Sequence, residues 1–595
     1  MDDLLLEPLK YYTSYARETH KNNVAEHFNG LLSSSGVNVE ENRRTVDAYN
    51  GEMSTADAIS RKIRKYRILT VLLIIVAVLS IVALIAGVYF VSTENFDATV
   101  LIICGIAFTI LSLTLIFAVL RPKITHQEGV RNKHLQKANE LKNLAYDQMM
   151  PLNALFDDLD TLRLIEKTMP KVKFDQLYST EREEKLIADY DYIDMTDDET
   201  SVINTLSGTV FDNPFLYERY LSHFMGTNTY TGTLVIRWTE SYRDSEGKVK
   251  YRTRTQTLHA SVTKPKPFYK MHTHLGFGSD AAPDLSFTRK ESDTDELSEK
   301  ALEKRIRKGE KELQNRSEKA TMRGGSFQEM ANSEFDVLFG ALDRNHEVQF
   351  RLMYTPLAQR NTVDLLRSKE GYGDDFNFIK RGRFNIISSN HAQGWDMALS
   401  GARFHSYSVD IAQNVFQSFN EEYFKSIFFD LAPLLAVPAY QDKAVSSMKD
   451  FGKQGNNYTY YEYESLANAI GEKVFAPSDA STRSILKASF IERQGDVDRV
   501  AITAYSYRAE DRIDYIPVFG GDGRTHLVPV HWIEYIPVSN TSEMLIKSLG
   551  YTEKQLRDKG KPLPYQSAYL HGLLAYHSIL SDSWENINQN FNVYK

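Results

Sequence analysis

The run ILTVLLIIVAVLSIVALIAGVYFV, Ile68–Val91, carries no charged residue over 24 positions, and ATVLIICGIAFTILSLTLIFAVL, Ala98–Leu120, repeats the pattern over 23. As α-helices rising 1.5 Å per residue, each reaches about 35 Å, enough to cross the hydrocarbon of a bilayer. A helix in a soluble core is normally amphipathic and seldom stays charge-free for so long, so the pair reads as membrane-spanning. Only Ser92–Asp97 separates the two runs, which makes a tight transmembrane helical hairpin. The charged stretch ahead of it and the length of the apolar run do not have the form of a cleaved signal peptide.

Flanking charge orients the hairpin. Arg61, Lys62, Arg64, Lys65 and Arg67 precede the first run, Arg121, Lys123, Arg131 and Lys133 follow the second, and the turn offers only Glu94 and Asp97. Basic residues stay on the cytoplasmic side, so a multi-pass cell-membrane protein with both termini cytoplasmic is expected. Neither run holds an acidic or basic side chain to relay protons or coordinate ions, so the lipid bilayer is a partner for anchoring rather than a barrier to transport across. Gly87 and Gly105 give each helix one position for close approach.

The rest of the 595-residue chain is rich enough in apolar side chains, at 42%, to fold, and long enough for more than one core. A net charge of −8 gives no basic footprint, so no nucleic acid is expected. The lone cysteine, Cys104, lies inside the second apolar run and excludes an intrachain disulfide or a multi-cysteine metal site.

Along the chain the fold class reads as α+β: the hairpin, a helical stalk, and a large mixed antiparallel-sheet cytoplasmic domain. The expected divisions are an N-terminal helical cytoplasmic region at 1–66, the hairpin at 67–121, the stalk at 122–170, a strand-rich part at 171–289, a charged helical insertion at 290–323 and an α+β C-terminal part at 324–595. Tyr11, Tyr12, Tyr15 and Phe28 are expected to pack the N-terminal helix onto the later domain, ahead of a polar stretch from Ser33 to Gly51. In the stalk, Ala138, Leu141, Ala145, Leu152, Leu155, Leu159 and Leu162 recur at coiled-coil spacing, bent at Pro151. That seam leaves a homo-oligomer and packing on the chain's own domain both open.

Alternation at Leu234, Ile236 and Trp238 begins a strand that turns at Asp244–Gly247 and returns from Lys248 to Thr263, with Pro265 and Pro267 expected to end the hairpin. Lys290–Arg323 reads as an exposed helix that docks weakly for want of an apolar stripe. Strands are expected at Val348–Tyr354 and Phe376–Ser388, then a helix from Val409 to Leu435 broken near Pro433. A meander from Arg499 to Pro537 turns at Gly520–Gly523, and two helices close the chain, one capped by Thr541 and ending at Gly550, the other at Tyr565–Leu580.

The runs TYTGTLVIRWTE at 229–240, ASVTKPKP at 260–267 and AAPDLSFTR at 281–289 resemble an uncharacterised group of predicted two-helix membrane proteins from Gram-positive bacteria. The resemblance covers about a tenth of the chain. It implies a bacterial cell-membrane setting and no activity.

The sequence lacks the phosphate cradle of P-loop enzymes, the Gly-x-Ser-x-Gly elbow, the His-Glu-x-x-His zinc helix and the dinucleotide fingerprint. No cofactor is implied and the catalytic residues are unknown. His272 and His274, two apart, would share one face of a strand and form the best metal candidate, with Asp284 or Asp280 as an oxygen ligand. Ordinary hydrogen-bonded histidines are the competing reading. An enzyme would need His391 or His526 to converge on that pair. Gly520–Arg524, beside His526, offers amides for an anion or simply makes a turn, as Asp496 and Asp498 do. A tyrosine-rich soluble part without catalytic motifs suits a membrane-anchored binding or scaffold protein with a protein partner; an enzyme with an unfamiliar site or an accessory subunit of a transport or secretion assembly are the alternatives.

Overall fold

The computed structural model describes residues 5–92, 99–192, 194, 196–243, 245–325, 327–395, 397–442, 458–549 and 566–578. The turn holding Glu94, Asn95 and Asp97, and Gly550, lie outside them. The chain divides into two compact units: Glu26–Phe156 with Ala402–Ser418, and the remainder.

After a short helix at Pro8–Tyr11 and a π-helical turn at Tyr12–Ala16 come four longer helices: α1 (Arg17–Ser35), α2 (Val39–Ser92), α3 (Thr99–Thr114) and, after a π-helical turn at Leu115–Leu120, α4 (Arg121–Asn153). The polar stretch before the first apolar run is helical from Val39, so α2 is one rod of 54 residues, about 80 Å long. In the first-named unit α2 and α4 run antiparallel, tied by Arg67 to Glu128, by His134 and Lys137 to Glu52, and by Gln148 to Thr45. Ala138, Ala145, Met149 and Leu152 are fully buried on the inner face of α4. Two described helices are long and apolar enough to cross a membrane. Between them a Cβ on Gly105 would lie 2.9 Å from the Leu84 Cβ and 3.0 Å from the Ser80 carbonyl, so the small residue sets the approach. Phe28, Phe156, Phe404 and Phe416 form an aromatic cluster in the same unit.

The expected stalk is interrupted. Pro151 sits in the last turn of α4, and the chain re-enters a helix only at α5 (Asp160–Thr168). In between, Asp157 accepts from the Leu159 amide and Asp160 from the Asp157 amide, local bonds that favour a turn over a helix. The leucine seam is therefore split: Leu152 is buried at the end of α4 and Leu162 in the core of the second unit.

That second unit holds the sheets. Its remaining longer helices are α6 (Thr180–Tyr190), α7 (Glu299–Met322), α8 (Ser333–Phe339), α9 (Glu347–Met353), α10 (Pro356–Arg367), α11 (Val409–Leu435, which begins in the helical unit) and α12 (Tyr460–Ile470). Seven strands order as β1-β2-β3-β4-β7-β6-β5 and five as β11-β12-β10-β9-β8, every pairing antiparallel. The first sheet comprises β1 (Val172–Phe174), β2 (Thr200–Val210), β3 (Asn213–Arg243), β4 (Val249–Gly278), β5 (Ser286–Arg289), β6 (Phe376–Arg381) and β7 (Phe384–Ser389). The second comprises β8 (Ile485–Gln494), β9 (Val497–Phe519), β10 (Thr525–Ser548), β11 (Ser567–Leu570) and β12 (Leu573–Ser578). Tyr11 and Tyr12 pack on Phe428, joining the N-terminal turn to this core as expected.

Two hairpins outgrow the cores. β3 and β4 pair from Phe215↔Phe277 out to Arg243↔Val249, while β4 meets β7 only over Leu275–Gly278. Pro265 and Pro267 thus lie inside a strand, not at its end, because the ring can sit where β4 has an open edge and no ladder bond is asked of its nitrogen. β9 and β10 extend likewise, and the two outer hairpins pack face to face around Ile236, Leu258 and Val528. A Cβ at Gly232 would stand 2.0 Å from the Pro529 carbonyl, so only glycine permits that approach. Lys264 pairs with Asp514 at 2.7 Å and lies over the Trp532 ring. The result is a two-layer β arm.

Four further sequence expectations fail. Val348–Tyr354 falls in α9 instead of a strand: His346 caps it by accepting from the Gln349 amide, and Phe350 and Met353 are buried at helical spacing. The closing segments are strands, since Thr541 of β10 pairs with Thr503 of β9, and Leu573–Ser578 is an apolar run too short for periodicity to distinguish helix from strand. Pro433 does not break α11, whose last turn accommodates it. Nor does α7 float free, for Leu302 and Leu313 are buried and Gly309 lies against Val337 of α8.

Candidate functional site

Residues 218 and 274 are cross-strand neighbours on β3 and β4, as are 220 and 272. This register places both sequence-predicted histidines on one face of β4, with His274 beside a buried carboxylate. His274 Nε2 meets Glu218 Oε2 at 2.6 Å, while His272 Nε2 faces the Ser222 hydroxyl at 3.0 Å and stacks on Tyr220. Asp284 does not join them: it pairs with the Gln349 side chain on α9, and Asp280 with Arg383. Among the described residues no group of three or more His, Cys, Asp or Glu side chains is arranged to hold a metal.

What gathers around Glu218 is phenolic. Tyr192, on the loop after α6, donates to Glu218 Oε1 at 2.6 Å, and its oxygen lies 2.5 Å from that of Tyr461 on α12. Tyr460, next along α12, hydrogen-bonds Asp194 and Thr196. Burial, then the charge of Glu218, pushes the Tyr192 and Tyr461 hydroxyls far above their ordinary range, so they serve as neutral donors. At the margin, burial followed by Asp194, Glu218 and Glu184 raises the Glu183 carboxyl to about 7.

A pH dependence follows. The folded chain holds the Glu183 proton more tightly than the unfolded chain, so this contribution to stability is complete below the ordinary carboxyl value of 4.5 and is lost as pH rises through about 7. Melting temperature is expected to fall across that window, and Glu183→Gln, which mimics the protonated group, is expected to flatten the fall. An unchanged profile in the variant would contradict the assignment.

A second network sits on β7 and α11. His391 Nδ1 meets Asp375 at 2.7 Å, its ring stacks on Tyr372 at 3.7 Å, and Asp430 accepts from Tyr217 and from Ser389. Burial lowers the imidazole, but Asp430 and Asp375 outweigh it and hold His391 above its usual value. The Ser389 hydroxyl is committed to Asp430, so these groups do not make an activated nucleophile. His391 pairs with Asp375 and His526 with Asp522, so neither converges on His272 and His274.

Sequence reading missed the acids of α12. Glu464, buried by cost and offset by Lys487, accepts from the Val202 amide of β2 and pairs with Lys487 of β8 at 2.9 Å. Glu462 accepts from the Tyr178 amide and meets His571 at 2.8 Å. Together they fasten one sheet to the other. The run Tyr460-Tyr461-Glu462-Tyr463-Glu464, acids spaced among tyrosines, was the available signal. At the β9–β10 turn, the amides of Gly520, Gly521, Gly523 and Arg524 bond to Arg524, Gln256, Gly520 and Asp522, which spends the nest on the turn itself.

Concavity lies elsewhere. A cavity of about 1090 Å³ opens along α7, lined by Lys304, Lys308, Lys319 and Arg323 over Ala320 and Leu342. No protein-family model, curated protein or solved structure matches the chain.

Proposed function

We propose that this is a membrane-anchored scaffold whose β arm holds a protein partner at the cytoplasmic face of a bacterial cell membrane. One observation carries the reading: the outer face of the β9–β10 hairpin leaves Ile513, Tyr515, Phe519 and Leu527 between 45% and 70% exposed. The register sets Pro517 opposite Leu527 and Tyr515 opposite Pro529, so these residues form one continuous apolar strip. A soluble protein seldom displays such a strip without a use for it, and aromatic side chains are the usual anchors of interfaces. The charge-free spans support an anchoring role, and the flanking arginines and lysines support cytoplasmic termini.

The test is site-specific photo-crosslinking in cells. A crosslinking amino acid at Tyr515 is expected to yield a discrete adduct, and the same group at Thr255, on the β3–β4 hairpin, is expected to yield none. Phe519→Asp with Leu527→Asp is expected to abolish the adduct without lowering the melting temperature, since both side chains face outward. Equal adducts from both positions, or none from Tyr515, would remove the arm from the function.

A further inference from the structure

The cavity along α7 has a charge pattern of its own. Lys304, Lys308, Lys319 and Arg323 fall at i, i+4, i+15 and i+19, which places them in one stripe along about 30 Å of helix. They are exposed, whereas the other two cations of the lining are already committed: Arg305 to Asp293, and Arg316 to the Leu342 carbonyl and the Phe327 ring. Lys308 has only a loose, solvent-exposed contact with Glu312 at 3.6 Å. The second acid of the lining, Asp336, is buried and held by Arg344. In a chain of net charge −8 this is a strongly basic trough. Its floor is apolar, from Leu313, Ala320, Val337 and Leu342.

We infer that this trough docks an acidic amphipathic helix of a partner protein. A helix laid along α7 would set carboxylates at three- and four-residue spacing against the stripe, and its apolar face against the floor. Steering by opposite charge favours that partner and rejects basic ones. A bilayer surface is a poorer match, because the cations line a concave trough while lipid headgroups present a plane. The inference is independent of the β arm, on which the scaffold reading rests.

The probe is a fluorescein-labelled synthetic helix with leucines on one face and glutamates beside them, titrated by anisotropy into the detergent-purified full chain. Binding that weakens with added salt is expected. Lys304→Glu, Lys308→Glu and Lys319→Glu together should weaken it by at least about tenfold. The reversed variant should bind the same peptide with lysines in place of glutamates, while its melting temperature stays unchanged. Failure of the acidic peptide to bind, or equal binding to wild type and variant, overturns the inference. Binding to phosphatidylserine vesicles in place of the peptide overturns it too, and assigns the trough to lipid.

Discussion

Asp175→Ala is expected to destabilise the sheet-bearing unit by about 3–5 kcal/mol, among the largest costs for any single truncation here. Arg182 of α6 is fully buried, and its Nε and Nη2 donate to the two oxygens of Asp175 at 2.9 and 2.6 Å. The Ser207 hydroxyl also donates to Asp175, so the carboxylate ties α6 to β2. Removing it strands a guanidinium in a water-free site, and that unpaired charge makes up most of the penalty. Asp175→Asn, which keeps an acceptor, should lose less. Asp175→Leu combined with Arg182→Met, which removes both charges, should recover most of the loss. Denaturant melts of the detergent-purified variants check the order; a double substitution worse than Asp175→Ala would show the pair to be stabilising in its own right.

The same pair explains why much of the fold is readable from sequence and the site is not. The membrane-length helices announce themselves because a run without charge needs no knowledge of neighbours. The β3–β4 and β9–β10 hairpins are nearly as plain, since strict alternation flanks Gly247 and Gly520–Gly523. Asp175 and Arg182 lie seven apart with nothing in their surroundings to mark them as buried. His272 and His274 drew notice by spacing, yet Glu218, Tyr192 and Tyr461, which define their environment, come from three distant segments. Periodicity also misleads where tertiary pairing decides: Leu573–Ser578 is a strand because Met544–Ile546 of β10 offers it a partner. The stalk leucines kept helical spacing across a break that only the Asp157 and Asp160 turn reveals.

Leu79→Arg combined with Ile110→Arg is expected to move the chain out of the membrane fraction. Both residues lie near the middle of their spans and are 62% and 61% exposed, so in a bilayer they face lipid instead of the partner helix. An arginine at that depth costs about 2.5–3.5 kcal/mol by insertion scales, and two such costs exceed what a two-helix anchor readily absorbs. Ser80, buried against the facing helix near Gly105, provides the contrast: Ser80→Ala should leave membrane association intact, because it keeps the close approach and adds no charge. Alkaline extraction of membranes gives the readout. Retention of the double arginine variant in the extracted membrane pellet would mean that these two positions do not face lipid or that another segment anchors the chain. Orientation is then tested with Asn95→Cys, between the two apolar runs, and Ser317→Cys on α7. An impermeant thiol reagent applied to intact cells is expected to label the first and spare the second. The opposite labelling would invert the topology and place both the β arm and the basic trough outside the cell.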